Sequence, residues 1–211
     1  MQSSQSQSQS QPQPQPQPAR VRIVDAAHQL MHTIGLARAT TKEIAKAAGC
    51  SEAALYKHFA SKEDLFVTVL KERLPQLGPL VERLTAEPGE RSVEENLTDI
   101  ARQAALFYAE SFPIAASLYA DPQLKRRHDE ALRKLGSGPH APIEGVDAYL
   151  RAERRAGRID ADADTYAAAC LLLGACAQRA FAYDMTESGV PPQGLEEFAR
   201  GVARTVLRGV G

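Results

Sequence analysis

The 211-residue sequence predicts an all-α fold. Apolar residues recur at spacings of three and four along most of the chain, and capping motifs or Gly and Pro breaks divide it into about nine stretches of helical length. We expect a tail at residues 1–18, a three-helix domain at residues 19–66 and a larger helical domain at residues 67–211. The apolar share of 44% and the net charge of −1 are those of a globular chain.

The first two segments differ in composition. Residues 1–18 alternate Gln, Ser and Pro, with no aromatic or aliphatic side chain after Met1. They bury too little surface to offset the entropy of ordering, so we expect them to be disordered. A first helix is predicted over residues 21–34, where an apolar stripe ends at Gly35.

Residues 40–66, TTKEIAKAAGCSEAALYKHFASKEDLF, carry the most specific pattern. Thr40 and Glu43 form a capping box, which predicts a helix start, and Gly49 supplies the permissive backbone that ends this helix in a sharp turn. Ser51 is the N-cap candidate of a second short helix. Two short helices joined by a tight turn form a helix-turn-helix, which indicates binding to duplex DNA.

A third capped helix follows at once. Ser61 and Asp64 repeat the capping-box pattern, with Asp in place of the usual Glu or Gln, and Lys62 lies in the first turn. A cation there opposes the helix dipole, but beside a polyanion its ammonium and the free N–H groups of the turn would grip a phosphate together. We therefore expect Lys62 to contact DNA; a solvated surface charge is the alternative.

Residues 20–74 resemble the N-terminal DNA-binding domain of the tetracycline-repressor (TetR) family of bacterial transcriptional regulators. The resemblance rests on a helix ending in Gly35, on T-T-x-x-I-A-x-x-A-G-C-S at 40–51, on L-Y-x-H-F at 55–59 and on S-K-E-x-L at 61–65. It covers roughly a quarter of the chain, and the remainder matches in size and helicity only. The implied protein is a dimeric, sequence-specific transcriptional regulator, a repressor that a small-molecule ligand releases from a palindromic operator.

The resemblance implies DNA contacts at the matching positions. Glu52, Ala53 and Tyr56 would face base edges or the thymine methyl group, and Glu52 helps there only by accepting from cytosine N4. Phosphates would be held by Thr41, Lys57, His58 and Lys62. The complete expected DNA-binding set is Thr41, Lys42, Ser51, Glu52, Ala53, Tyr56, Lys57, His58 and Lys62. Arg20 and Arg22 would reach toward the minor groove or simply be solvated.

Charge is unevenly distributed between the two domains. Residues 19–74 hold nine Lys or Arg against six Asp or Glu, a net +3, whereas residues 75–211 hold sixteen against twenty, a net −4. A basic DNA-reading head on a body that does not bind DNA would have this asymmetry.

The larger domain is predicted to be a series of helices broken by Pro and Gly. Pro75, Gly78 and Pro79 are expected to end or kink the fourth helix, and a capping box at Ser92 and Glu95 starts a helix that runs to about residue 110. Further helices are predicted at residues 113–120, 122–135, 143–156, 164–185 and 195–207, with a loop at residues 136–142.

The helix at residues 164–185 is nearly uncharged over residues 166–177, so it must be covered on more than one face. Its many small residues permit close approach of another helix. In the family, the last two helices of each subunit form a four-helix dimer interface, and the resemblance implies a homodimer through this pair. Burial of the helix within one subunit is the alternative.

The resemblance also implies an effector bound in the larger domain. The candidate pocket residues are larger side chains of its helices: Leu106, Phe107, Phe112, Tyr119, Tyr149 and Phe181. A role in the hydrophobic core is the competing interpretation for each of them. Because Tyr hydroxyls are available but few buried charges are expected, we predict a mainly apolar, drug-sized or lipid-like ligand.

Other functional classes find no support in the sequence. The three cysteines lack metal-ligand spacing and are expected to be reduced, and His28 and His32, although four residues apart, have no third ligand nearby. Without a Gly-rich phosphate loop or a nucleophile elbow, we expect no catalytic residue, cofactor or metal. No apolar run is long enough to span a membrane and no signal peptide is evident, which predicts a cytoplasmic protein.

Three alternatives to a repressor remain at this stage. An activator or dual regulator would share every one of these residues. An architectural DNA-binding protein would bind all duplexes equally, with strong salt dependence. An enzyme on a helical scaffold would show turnover without operator binding.

Overall fold

The computed structural model describes residues 17–87, 89–134, 138–184 and 191–210. These residues form ten α-helices and no strand, which confirms the predicted all-α class. The helices are α1 (Ala19–Arg38), α2 (Thr41–Ala47), α3 (Glu52–Leu55), α4 (Lys62–Glu72), α5 (Leu77–Ala86), α6 (Val93–Ala120), α7 (Pro122–Lys134), α8 (Ala141–Arg155), α9 (Thr165–Asp184) and α10 (Leu195–Val210). The tail expected to be disordered lies outside the described residues, except for Gln17 and Pro18.

α1 extends to Arg38, but its helical backbone is interrupted at Gly35, the predicted stop. Gly35 has a φ of 79°, a left-handed value that glycine adopts without strain, and it kinks the helix there. Leu36 and Ala39, just after the kink, are buried in the same core as the start of α1. Their burial stabilises the continuation beyond the glycine.

α5 is a helix that the sequence pattern does not predict. Gly78 and Pro79, interpreted as helix breakers, lie in its first turn. Proline is tolerated there because the first N–H groups of a helix have no partner inside it. The helix is held by a buried stripe at the expected spacing, formed by Leu77, Val81 and Leu84.

α6 is one helix of 28 residues, although the sequence predicts a break between residues 110 and 113. Pro113 lies inside it and removes a backbone hydrogen bond, which costs about 3 kcal/mol in a helix interior. Beyond the proline, Ile114 and Leu118 are buried, and each burial contributes roughly 1.5–3 kcal/mol. The prediction of two helices is wrong because this burial offsets the cost of the proline.

Two hydrophobic cores involve different halves of α6. The body core joins α5, the first half of α6, α8, α9 and α10 around residues such as Leu97 and Leu172. We call α1 to α4 the head. The head core joins these four helices to α6 through Ile114 and Leu118 and to α7 through Leu132. Phe107, near the middle of α6, packs against both cores. The head therefore shares its core with the end of α6 and with α7.

α7 meets α4 through a buried histidine. His128 is 6% exposed, and its ring contacts that of Phe66 edge-on with the centroids 4.4 Å apart. Burial lowers the pKa of His128 below its ordinary value, while the nearby carboxylates of Asp129 and Glu63 oppose this shift and Lys125 adds to it. The uncharged ring is therefore the form that packs between the two helices.

Acidification should weaken this contact. Because the pKa of His128 is lower in the folded than in the unfolded chain, the unfolded state binds more protons as the pH falls below about 6.5, and folding stability is lost. His128→Phe should reduce the drop in melting temperature between about pH 7.5 and pH 5.5. His58→Phe, at an exposed position, is the control and should leave that drop unchanged; an equal drop in wild type and His128→Phe would contradict the prediction.

Candidate DNA-binding interface

The turn between α2 and α3 has the geometry that the sequence predicts. The Glu43 N–H donates to Thr40 Oγ1 at 3.2 Å and the Thr40 N–H donates to Glu43 Oε2 at 3.0 Å, which completes the capping box. Gly49 has a φ of 66°, and the Cys50 N–H donates to the Ala45 carbonyl at 2.9 Å, as in a Schellman helix end. These bonds fix the direction in which the chain leaves α2.

α3 has four residues and is followed by a tight turn. Ser51 caps it by accepting from the Ala54 N–H at 3.1 Å. Leu55 and Phe59 anchor it, since they are 0% and 3% exposed and lie in the head core. The opposite face is exposed and carries six of the predicted DNA-binding residues: Ser51, Glu52, Ala53, Tyr56, Lys57 and His58.

The start of α2 lies against the exposed face of α3. Lys42 is exposed and Thr41 is half-buried. The Thr41 hydroxyl donates to Glu52 Oε1 at 2.5 Å, and the Tyr56 hydroxyl donates to Thr41 Oγ1 at 3.4 Å. Three residues that were each expected to contact DNA are thus linked by hydrogen bonds.

Lys62 is half-buried rather than freely solvated. Its ammonium donates to the carbonyls of Leu36 at 2.5 Å and Ala37 at 3.5 Å, near the end of α1, and burial lowers its pKa. Ser61 caps the same turn by accepting from the Asp64 N–H at 3.0 Å. Lys62 therefore fastens the start of α4 to the end of α1, a role that the sequence pattern does not reveal.

Arg20 and Arg22 are engaged within the protein. The Arg20 guanidinium donates to both oxygens of the Glu72 carboxylate, at 2.6 and 3.0 Å. Arg22 Nε donates to the Ala48 carbonyl at 3.1 Å, in the turn that precedes α3. Arg22 therefore supports the helix-turn-helix from α1, and a minor-groove contact by either arginine would require these bonds to break.

The six candidate pocket residues lie in three different environments. Tyr149 is fully buried in the body core, where burial raises its pKa. Phe107 and Phe112 are partly buried, and each ring lies 5.5 Å from that of Tyr108. The other three are exposed: Leu106 at 37%, Tyr119 at 75% and Phe181 at 57%. The six side chains are therefore dispersed. For Tyr149, the structure fits the alternative interpretation, a residue of the hydrophobic core.

A groove of about 590 Å³ runs between α9 and α10 on the surface of the body. Small and apolar side chains of both helices form much of its walls, among them Ala167, Leu171, Ala175, Phe198 and Val202. Leu171 is 67% exposed, and Tyr166 and Phe181 on the same helix are each 57% exposed. Several large exposed apolar side chains on one helix indicate an interaction site.

Metal-ligating side chains do not cluster in the part of the chain that the structure describes. No group of three or more His, Cys, Asp or Glu residues there is placed to hold a metal ion. The rings of His28 and His32 lie 6.3 Å apart, and the three cysteines are free. Over the same ranges, none of the helices combines the length and the apolarity that crossing a bilayer requires.

A short capped helix, exposed on one face and held by a tight turn on a helical head, defines a helix-turn-helix DNA-binding protein. Residues 23–69 match the family model described as bacterial regulatory proteins, tetR family. This part of the chain is therefore a DNA-binding domain of the TetR family of transcriptional regulators, as the sequence resemblance indicates.

Similarity to known proteins extends beyond the head. The fatty acid metabolism regulator protein of Bacillus subtilis (strain 168) is 23% identical over 159 residues, which are 73% of this chain and 77% of that protein. The uncharacterized HTH-type transcriptional regulator YvkB of the same strain is 39% identical over 62 residues, which are 29% of this chain and 33% of that protein.

Solved structures share the fold along most of the chain. The fatty acid degradation regulator FadR from Bacillus halodurans has a TM-score of 0.64 at 21% identity, covering 92% of this chain and 97% of its own. FadR from Bacillus subtilis in complex with stearoyl-CoA has a TM-score of 0.64 at 19% identity, covering 90% and 99%. At these identities the likeness shows the fold alone.

Proposed function

We propose that this chain is a dimeric, sequence-specific repressor that binds a palindromic operator and leaves it when a small-molecule ligand binds the body. The observation that carries this proposal is α3, which Leu55 and Phe59 anchor while its other face is exposed. An exposed helix on a rigid support is the element that enters a major groove. Residues 19–66 would carry the DNA contacts, and residues 67–211 would carry the dimer interface and the ligand.

We assign the exposed residues of α3 and its following turn to two kinds of contact. Ala53 and Tyr56 would meet base edges or the thymine methyl group, while Lys57 and His58 would hold phosphates. Lys42, exposed at the start of α2, would add a phosphate contact. The Ser51 hydroxyl would donate its hydrogen to a phosphate while its oxygen caps α3.

Lys62 would contact a phosphate from the first turn of α4. Two carbonyls accept from its ammonium, which has three N–H donors, so one donor is left for a ligand. The first turn of a helix leaves N–H groups without partners inside the helix, and these favour an anion nearby. Its half-burial fixes the position of the charge, which lowers the entropy lost when a phosphate binds.

Selection of bound sequences from random duplex DNA tests this proposal. We expect an inverted repeat whose half-sites are about one helical turn apart, roughly 34–36 Å. Lys57→Ala should weaken binding to the selected duplex and to a scrambled duplex by similar factors and reduce the salt slope by about one, because it removes one phosphate contact. Lys71→Ala, near the other end of α4, removes the same charge and should change neither quantity.

Equal affinity of the wild-type protein for selected and scrambled duplexes would contradict sequence-specific binding. It would favour an architectural DNA-binding protein, which reads only the backbone. A Lys57→Ala salt slope equal to that of wild type would exclude Lys57 from the phosphate contacts.

We infer that two copies of the chain pair through α9 and α10. One side of α9 packs in the body core through Leu172 and Cys176, whereas Leu171 and the groove beside it face outward. Exposed small residues, including Ala167 and Gly174 of α9, permit close approach of a partner helix. A twofold dimer would bring two recognition helices to the two halves of a palindrome.

Leu171→Glu should convert the dimer to a monomer, because it would bury a charge without a partner in the interface. Sedimentation equilibrium of wild type and variant measures this change. Tyr119→Glu is the control, since Tyr119 is 75% exposed on α6 outside the groove and its substitution should leave the dimer intact. A Leu171→Glu protein that remains dimeric would contradict the proposed interface.

We infer that the effector carries a long apolar portion and acts through the middle of α6. Phe107, Tyr108 and Phe112 lie there next to one another, and burial raises the pKa of Tyr108 to about 12, so its hydroxyl stays protonated and able to donate. A ligand that prefers one position of α6 would shift the head, since Ile114 and Leu118 are packed in the head core. Similarity to fatty acid regulators supports an acyl chain as this apolar portion.

Titration of the complex with the selected operator tests the effector class. Stearoyl-CoA should release the DNA at lower concentration than coenzyme A, because only the former brings apolar surface to bury. Fluorescence anisotropy of a labelled operator measures the release. Equal potency of the two compounds, or none for either, would contradict an acyl effector and leave the DNA-binding proposal untouched.

A further inference from the structure

Glu52 is tied into a short chain of hydrogen bonds on the exposed surface of the helix-turn-helix. The Thr41 hydroxyl donates to the Glu52 carboxylate at 2.5 Å, and the Tyr56 hydroxyl lies 3.4 Å from Thr41 Oγ1. The chain crosses from α2 to the turn after α3, and both of its bonds join side chains. Tyr56 is 50% exposed, so the chain lies at the surface that would meet DNA.

The direction of these bonds follows from the chemistry of the groups. An ionised carboxylate only accepts, so Thr41 must give its single hydroxyl hydrogen to Glu52. Thr41 then has only lone pairs left, and Tyr56 must donate its own hydrogen to Thr41. Both hydroxyl hydrogens are therefore used inside the protein, and this part of the surface presents acceptors and one negative charge.

Such a surface discriminates between the phosphate backbone of DNA and the edges of its bases. Phosphate oxygens are negatively charged acceptors, so they are repelled here and find no free hydroxyl hydrogen on Thr41 or Tyr56. The major groove instead offers amino donors at cytosine N4 and adenine N6. The free lone pairs of Glu52 match those donors.

We propose that Glu52 is a specificity-determining residue, whose carboxylate, held by Thr41, opposes docking on phosphates alone and accepts from a cytosine or adenine amino group. This inference rests on the proposed DNA-binding function. Thr41 then acts as a positioning residue for Glu52, in place of the phosphate contact expected from the sequence. The exposed cations Lys42, Lys46 and Lys57 attract any duplex. Glu52 lowers the affinity for duplexes that offer no cytosine or adenine amino group to its carboxylate.

Glu52→Gln separates the charge from the hydrogen bond. The variant keeps an acceptor oxygen for Thr41 but removes the negative charge and adds a donor. Its affinity for a scrambled duplex should rise several-fold, and its preference for the selected operator over that duplex should fall by about 5- to 150-fold, the discrimination of one good base contact. Glu82→Gln, exposed on α5, makes the same charge change and should alter neither value.

Thr41→Val tests the positioning role. The variant retains the Glu52 charge but removes the donor that holds the carboxylate, so operator preference should fall while affinity for the scrambled duplex stays as low as in wild type. Both affinities are measured by anisotropy at two salt concentrations. A merely structural link between α2 and α3 would instead weaken both affinities in Thr41→Val and change neither in Glu52→Gln.

The outcomes separate this inference from the proposed function. Wild-type protein without preference for any inverted repeat would refute sequence-specific repression. Glu52→Gln that binds the scrambled duplex no more tightly than Glu82→Gln would overturn the role of Glu52, whatever the wild-type preference. A gain in scrambled-duplex affinity without a loss of operator preference would overturn the base contact.

Discussion

The burial of Ile114 and Leu118 in the head core is the contact on which the arrangement of the molecule depends. At 1.5 Å per residue, the 28 residues of α6 span about 42 Å, from the body core near Leu97 to the head. Because protein interiors are closely packed, a helix shared by two cores cannot shift in one without disturbing the other. The head is therefore coupled to the body through packing as well as through the short connection after α4.

Within the head, bonds to backbone carbonyls hold the short helices in place. Lys62 reaches the end of α1, and Arg22 reaches the turn before α3. α3 is too short to be stable alone, so its position depends on these contacts, on the Ser51 cap and on the anchoring of Leu55. The surface offered to DNA is consequently set by residues that do not themselves face the groove.

Local signals made much of the fold predictable. The capping boxes at Thr40 and Ser92 and the turn at Gly49 depend on neighbours in sequence, and all three form as expected. The errors at Pro79 and Pro113 share one cause: each residue weakens a helix locally, while burial of distant side chains decides whether a helix forms there. That burial cannot be read from spacing alone.

The candidate site divides in the same way. Exposure of Glu52, Tyr56 and Lys57 follows from the helical spacing of residues 52–59, so it could be predicted from the sequence. The bonds from Thr41 to Glu52 and from Lys62 to Leu36 join residues 11 and 26 positions apart, and no local pattern encodes them. The dispersal of the expected pocket residues likewise depends on how the helices pack.

Pro113 also gives α6 an uneven stiffness. A proline has no N–H, so the Ala109 carbonyl lacks the donor that an ordinary residue at position 113 would supply, and Ala109 is exposed to water. This gap in the ladder falls after Phe107 and before Ile114, between the segments that the two cores hold. A small bend concentrated there would tilt the head as a unit, with the side chains of both interiors kept in register.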